Sequence, residues 1–231
     1  MPLTGATKIN YLRTTGIKNR LLADNRQMER NTVIRHNPTN RLLLWVDAVG
    51  GYLICLADEV VLGQAVPENS IDIPILGDLS RQHAKISRDG GDYLIEPFEP
   101  IWINGKLINS NALLTDGVEL QLGQGIKLRF RKSHALSSTA RLDFLSRHRT
   151  QPFADGILLM AESCILGPCA ANHIICQTWP EDVVLYRQEE ELYCQTTETL
   201  EIDGQSCDGR GRITPRSRIS GSEFALSLEP V

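Results

Sequence analysis

The chain has 231 residues, 42% of them hydrophobic and 23% charged, with a formal net charge of −4. That composition can bury a core and excludes a globally disordered chain. The longest aliphatic-aromatic run, Leu42 to Val46, is too short to cross a bilayer, and no apolar signal core follows Met1, so a soluble cytoplasmic protein with no membrane partner is expected.

Residues 1–40 read as a polar, basic leader. Eight Lys/Arg up to Arg41 stand against Asp24 and Glu29. Ile17, Leu21 and Met28 hint at a short amphipathic helix, and the remainder of the leader is expected to be irregular. From residue 42 onward short apolar runs alternate with Gly, Pro, Asn and Asp. Strands are predicted at 42–46, 52–56, 60–62, 71–75, 83–86, 93–95, 102–103, 119–122 and 126–130. The turns Gly50-Gly51, Asp89-Gly90-Gly91, Asn104-Gly105 and Asp116-Gly117 offer the positive-φ positions that tight hairpins require. Many short strands at this spacing predict an all-β sandwich or barrel.

The pattern then restarts. "YLICLADEVVLGQ" at 52–64 finds a counterpart in "ILLMAESCILGP" at 157–168, and "IWINGKLI" at 101–108 in "LEIDGQSC" at 200–207. Gly63 and Gly167 are 104 residues apart, and Gly105 and Gly204 are 99 apart. Two landmarks at nearly constant offset indicate two β-domains of similar topology. The expected organisation is a leader over 1–40, a sandwich over 41–132, a linker over 133–155 and a second sandwich over 156–231.

Charge follows this division. Residues 42–126 carry four basic and twelve acidic residues, and 156–231 carry five and twelve. Residues 127–149 carry seven basic residues against Asp143. Basic arms can touch nucleic acid, but here no aromatic residues interleave the charges, so solvated segments beside acidic bodies are the favoured reading. The six cysteines (55, 164, 169, 176, 194, 207) contain no CxxC pair. Cys55, Cys164, Cys176 and Cys194 lie in strand-like apolar runs, so reduced core thiols are expected, with no metal and no cofactor.

The stretch Ser80-Arg81-Gln82-His83-Ala84-Lys85-Ile86 is followed by Trp102-Ile103-Asn104-Gly105 and Leu114-Thr115-Asp116-Gly117-Val118-Glu119-Leu120. Gly63-Gln64 and Ile71-Asp72-Ile73-Pro74-Ile75 precede it. In this order the motifs resemble the forkhead-associated (FHA) domain, a β-sandwich whose loops at one end bind phosphothreonine peptides. The resemblance implies a non-catalytic protein-interaction module with a protein partner carrying phosphothreonine. Ser80 and Arg81 would contact phosphate, with Gln64 beside them, Asn104 and Lys106 at the rim and His83 as a brace inside the loop. A hydroxyl and a guanidinium fork suit a dianion. Two positions depart from the family pattern. Gln64 stands where the arginine after the glycine is usual, and Glu99 where the family has asparagine. These departures support the alternative, a phosphorylation-independent scaffold. The second half follows the pattern more loosely: Pro168 follows Gly167, Asn172-His173-Ile174 stands near the Asn-Asp-Ile strand, and Glu181-Asp182 replace the phosphate loop. It resembles a degenerate copy, in which Arg210, Arg212, Arg216 and Arg218 could gather as a separate anion patch. Thr139 in the linker could, once phosphorylated, act as a latch for the first loop.

A catalytic reading pairs Ser80 with His83 or Cys169 with His173. A nucleophile needs a base, an orienting third group and an oxyanion hole. Ser80 and His83 lie three apart at the start of a strand, which sends their side chains to opposite faces. No nucleophile elbow or P-loop occurs, so no catalytic residue is expected.

Overall fold

The computed structural model describes residues 40–67, 71–134 and 136–231, and these lie within one compact unit. The helix suggested around Ile17, Leu21 and Met28 lies outside the described residues. Among the described residues no α-helix occurs, and therefore none long and apolar enough to cross a membrane. The chain is all-β.

The strands fall into two runs of eleven. The first comprises β1 (Arg41–Val46), β2 (Gly50–Cys55), β3 (Glu59–Gln64), β4 (Ile73–Ile75), β5 (Ala84–Asp89), β6 (Asp92–Pro97), β7 (Ile101–Ile103), β8 (Lys106–Ile108), β9 (Ala112–Leu114), β10 (Glu119–Leu122) and β11 (Ile126–Arg131). The second comprises β12 (Ala140–Phe144), β13 (Gly156–Leu159), β14 (Ser163–Gly167), β15 (Ile174–Ile175), β16 (Val183–Gln188), β17 (Glu191–Gln195), β18 (Leu200–Ile202), β19 (Gln205–Cys207), β20 (Arg210–Ile213), β21 (Arg218–Ser220) and β22 (Ala225–Pro230). One five-stranded sheet has the order β4-β3-β5-β6-β9, and another has β15-β14-β16-β17-β20. Each strand of the first sheet is matched by the strand eleven places later.

The third sheet has twelve strands, ordered β19-β18-β21-β22-β1-β2-β13-β12-β11-β10-β7-β8. Its centre is the parallel pair β2 and β13, from Tyr52↔Gly156 to Cys55↔Leu159. Outward from that pair the two arms again match at an offset of eleven, with one exchange. The first hairpin, β1–β2, joins the last strand of the second run, with Leu42↔Pro230 through Val46↔Leu226. The hairpin β12–β13 joins the last strand of the first run, with Leu128↔Phe144 through Arg131↔Arg141. Each run of strands thus completes its long-sheet arm with a hairpin drawn from the other.

Burial shows how the layers stack. Leu43, Leu53, Cys55, Ile157 and Leu159 belong to one core cluster with Leu62, Ile86, Leu128 and Phe130. Their immediate neighbours Leu42, Leu44, Ile54 and Leu158 belong to another, with Leu166, Leu185, Ile219 and Leu228. Successive strand residues face opposite sides of a sheet, so the two smaller sheets cover opposite faces of the long one. At the centre both faces are covered. This accounts for the unbroken apolar runs of β1, β2 and β13, whereas β11 and β22 alternate buried and more exposed residues. Burying a side chain such as Leu53 or Leu158 completely contributes about 1.5–3 kcal/mol.

Equivalent arginines tie the exchanged parts together. On β5, Arg88 pairs with Asp58 and donates from Nη1 to the Leu159 carbonyl of β13 at 3.4 Å. On β16, Arg187 donates from Nη1 to the Leu56 carbonyl at 3.0 Å. Arg41 donates to the carbonyls of Ile71 (2.6 Å) and Asp72 (3.0 Å), and Arg141 donates to that of His173 (2.6 Å).

The predicted strands of the first half all contain observed strand residues, and β8 and β9 are additional. Both are short edge strands, Lys-Leu-Ile and Ala-Leu-Leu, whose middle leucines lie exposed, so burial leaves little pattern in them. Residues 133–155, expected as a linker, include β12 in the middle of an arm of the long sheet. Thr139 is fully buried, its hydroxyl donating to Ser163 O at 2.6 Å and accepting from Ala161 N at 2.9 Å. A phosphate has no room there, which removes the suggested latch. Cys55, Cys164, Cys176 and Cys194 are buried free thiols, and Cys169 and Cys207 are more exposed. Burial pushes the Cys164 and Cys194 thiols up to about 12 and Cys176 up to about 11.

Candidate functional site

The Ser80–Arg81 stretch lies against the end of β3. The Gln64 N–H donates to Ser80 O at 3.0 Å, and the His83 N–H donates to Leu62 O at 2.8 Å. Gly63 makes this approach possible, since a Cβ there would collide with the Arg81 carbonyl oxygen. Ser80 is half-buried and Arg81 is exposed. The Gln64 side chain leans back into the same loop, its Nε2 lying 3.4 Å from Gly77 O.

His83 is 3% exposed and sits beneath the loop. Its carbonyl accepts from Phe98 N (3.0 Å) and Glu99 N (3.1 Å), which brings the β6–β7 loop alongside. Its Nε2 lies 3.2 Å from Pro100 O and 3.1 Å from Gly123 N, while Gly123 N lies 3.3 Å from Pro100 O. One nitrogen cannot donate and accept at once. With the proton on Nε2, Pro100 O takes both N–H groups, and only the Nδ1 lone pair lacks a partner. An unpaired acceptor costs less than an orphaned N–H, so this tautomer fits. Burial lowers the His83 pKa, and the hydrogen bond to Pro100 and the Glu99 charge oppose that shift.

The structure therefore brings Gln64, Ser80, Arg81, His83 and Glu99 to one end of the first half. Asn104 and Lys106 are not there. Ile101 pairs with Leu122, beside Gly123, whereas Ile103 pairs with Leu120 and Asn104 follows it. Asn104 is thus at the opposite end of β7, about 10 Å along a three-residue strand. It takes positive φ (49°), and its Oδ1 accepts from Glu119 N at 2.9 Å. Lys106 is exposed on the edge strand β8. Both serve a hairpin turn away from the loop end, which corrects their placement at its rim. Asn-Gly marked a turn correctly, but the strand direction decided which end it occupies.

One group was missed. Residues 149–151 run beside β4: Leu76 N donates to Arg149 O at 2.8 Å, Gln151 N donates to Pro74 O at 2.9 Å, and Ile75 forms a bridge with Thr150. The basic run Arg147-His148-Arg149 was visible in the sequence. Its docking here follows from the pairing of β12 with β11, which no local pattern reveals.

At the corresponding end of the second half, carboxylates hold the loop. The Asn172 side chain donates to Asp182 Oδ1 at 2.7 Å, and Thr196 Oγ1 donates to Glu181 Oε1 at 2.6 Å. A Cβ on Gly167 would collide with Asp182 Oδ1. Asp182 thus occupies the space beside Gly167 that the Arg81 carbonyl occupies beside Gly63. The four arginines of this half do not gather. Arg210 stacks on Tyr186 and Tyr193, at 5.3 and 4.8 Å from the ring centroids, and Arg212 pairs with Glu191 at 2.9 Å. Arg216 and Arg218 line a separate groove of about 920 Å³ with Trp45, Asp47, Glu201 and Asp203.

Comparison with known proteins bears on part of the chain. The FHA domain family matches residues 60–123. No curated protein matches the chain. Among solved structures, the FHA-2 domain of a Mycobacterium tuberculosis ABC transporter is 26% identical, over 39% of this chain and 76% of that one, with a TM-score of 0.30. The FHA domain of a Chlamydia trachomatis protein is 27% identical, over 36% and 89%, with a TM-score of 0.28. Mycobacterium tuberculosis EmbR, in complex with a low-affinity phosphopeptide, is 20% identical, over 51% and 31%, with a TM-score of 0.31. What is identified is thus one stretch of the chain, an FHA domain over residues 60–123.

Proposed function

We propose that the first half is a phosphopeptide reader, binding phosphothreonine-containing protein segments at the Ser80–Arg81 end. The observation that carries this reading is the mounting of the loop. Gly63 and His83 hold residues 80–81 from below while the Arg81 side chain stays exposed. A dianion suits a short hydroxyl beside a guanidinium fork. The reading is of a cytoplasmic binding module and not of a catalyst.

The second half is proposed as a copy of the same fold that kept the scaffold and closed the pocket. Support comes from the strand-by-strand match at an offset of eleven, the pairs Gly63/Gly167, Arg41/Arg141 and Arg88/Arg187, and a shared solution for one buried N–H. Asp72 Oδ2 accepts from Val61 N at 2.8 Å, and His173 Nδ1 accepts from Ile165 N at 2.9 Å. In sequence limits the two bodies are 41–132 and 156–231, preceded by the basic leader and joined through 133–155.

A second reading is a phosphorylation-independent scaffold, favoured by Gln64 at the usual arginine position and by exposed Glu99 at the loop end. Matched phosphothreonine and unphosphorylated peptide libraries separate the two. The reader is expected to prefer the phosphorylated set and to lose that preference in the Ser80→Ala/Arg81→Ala double variant. Equal binding of both sets would establish the scaffold.

A further inference from the structure

The two exchanged hairpins occupy equivalent places in the long sheet and differ in their turns. Between β1 and β2 the turn is three residues, Asp47-Ala48-Val49; between β12 and β13 it is eleven, residues 145–155. Each lies beside the last strand, or its turn, of the half to which its hairpin is lent. Asp47 N donates to Ala225 O at 3.0 Å, at the start of β22. Leu145 N donates to Lys127 O at 2.9 Å, and the Ser146 hydroxyl lies 3.1 Å from Lys127 N, at the start of β11.

The long turn goes further than its short counterpart. The His148 ring packs against Gly77, where a Cβ would meet its Cδ2 at 3.0 Å, and reaches toward Gly125, where a Cβ would meet its Cε1 at 3.7 Å. Its Nδ1 is 2.9 Å from Ser146 Oγ. Gly77 is the residue whose carbonyl faces the Gln64 amide, and Gly123, two residues before Gly125, contacts His83. His148 therefore wedges the turn between the two loops that frame the Ser80–Arg81 end. Arg149 is held in place, its guanidinium 5.7 Å from the Phe144 ring centroid and 2.7 Å from its neighbour's carbonyl at His148. Arg147, between Ser146 and His148, is exposed. Among the described residues, the acids at this end include Asp78 and Glu99, both exposed.

We propose that the turn of the exchanged hairpin, residues 145–155, forms part of the phosphopeptide-binding surface. Its Arg147 supplies from the second run of strands the cation that FHA domains carry at the position of Gln64. The inference rests on the phosphopeptide reading of the first half and adds where the missing charge comes from. It also gives the exchange a consequence for binding. The half that keeps Ser80 and Arg81 receives the long basic turn, and the half closed by Glu181 and Asp182 receives the short acidic one. A cation facing an anion across an open surface acts chiefly through long-range attraction, so its contribution weakens as salt rises.

The test uses the full chain and fluorescent peptides from the phosphothreonine library, each with an unphosphorylated twin, read by anisotropy at low and physiological salt. Arg147→Glu is expected to weaken binding of the phosphorylated peptides by about three- to tenfold at low salt and less at high salt. It should leave the unfolding midpoint and the unphosphorylated twins unchanged. Arg218→Glu, in the groove with Asp47, is expected to bind as the unaltered chain does. Gln64→Arg placed in the Arg147→Glu chain is expected to recover affinity, and a failure to recover would overturn the substitution of one cation for the other. Loss of phosphopeptide binding in Ser80→Ala/Arg81→Ala with none in Arg147→Glu would overturn the role of the turn and leave the reader intact. An unaltered chain that does not distinguish the twins would overturn both.

Discussion

The chain between β4 and β5 carries Ser80 and Arg81 just before a buried histidine that bonds to the neighbouring loop. The equivalent chain between β15 and β16 ends in Glu181 and Asp182, whose carboxylates turn back onto Thr196 and Asn172. The same scaffold thus closes its loop end in two ways. In the first half a neutral ring carries the bracing below the surface and leaves the guanidinium outside. In the second half the charged groups do the bracing themselves. A loop built on hydrogen-bonded carboxylates has the wrong sign for an anion. The two loop ends thus differ in which residues are used for support.

The widest break in this comparison is to separate the two halves. Residues 40–132 expressed alone would keep β11 without β12 and β1–β2 without β22 and β13. Such a fragment is expected to show no cooperative unfolding by calorimetry, and to regain it when coexpressed with residues 133–231. A cooperative transition in the isolated fragment would show that β1–β2 can turn back onto β11.

The cross-ties come next in size. The Arg88 side chain is 9% exposed and reaches Asp58, Tyr93 and Leu159, whereas Arg187, among the described residues, makes a single side-chain hydrogen bond, to Leu56. Hydrogen bonds to a charged group contribute about 1.5–3 kcal/mol, so Arg88→Ala is expected to lower stability in urea by about 2 kcal/mol and Arg187→Ala by about half that. Equal losses would mean that the two ties are interchangeable.

The loop ends provide the third comparison. His83→Ala is expected to cost about 1–2 kcal/mol and to abolish discrimination of phosphopeptides, because the support beneath Ser80–Arg81 is lost. Asp182→Ala is expected to cost about 1 kcal/mol with no effect on peptide binding. Loss of peptide binding in Asp182→Ala would place a working site in the second half.

A further effect is one of pH, at His173, which stands where the first half has Asp72. Burial, helped by His134 and Arg141, lowers the His173 pKa to about 4 from the usual value of about 6.5. The ring accepts from Ile165 N through Nδ1 and faces Ser137 Oγ through Nε2 at 3.0 Å, so the folded state holds it neutral. Folding disfavours the protonated form. The stability that His173 contributes is complete above about pH 6.5 and is lost as pH falls toward 4. Denaturation midpoints from pH 4 to 7 are expected to slope over this window and to flatten in His173→Asn. An unchanged slope would assign the acid sensitivity to other groups.

Much of this was legible locally. Apolar runs set off by Gly, Asn and Asp placed nine strands of the first half, and Ser80-Arg81-Gln82-His83 identified its loop end. Local pattern failed at β8 and β9, short edge strands whose middle leucines lie exposed. It also failed at Asn104, where the turn was right and the end of the sandwich wrong. The runs in β1, β2 and β13 carried a further signal. They are apolar at successive positions without alternation, as strands covered on both faces are, and so pointed to a central layer.

By itself the sequence determined the all-β class, the recurrence of landmarks between the halves and the chemistry available at each loop end. These rest on side-chain period, turn residues and residue type, all of which act over a few positions. Only the tertiary structure decided that β1 pairs with β22 and β12 with β11. Strand propensity and side-chain period act within each hairpin and do not specify which distant strand it pairs with. The choice lies in how two cores share one central layer, and with it in where Arg147 and His148 come to rest.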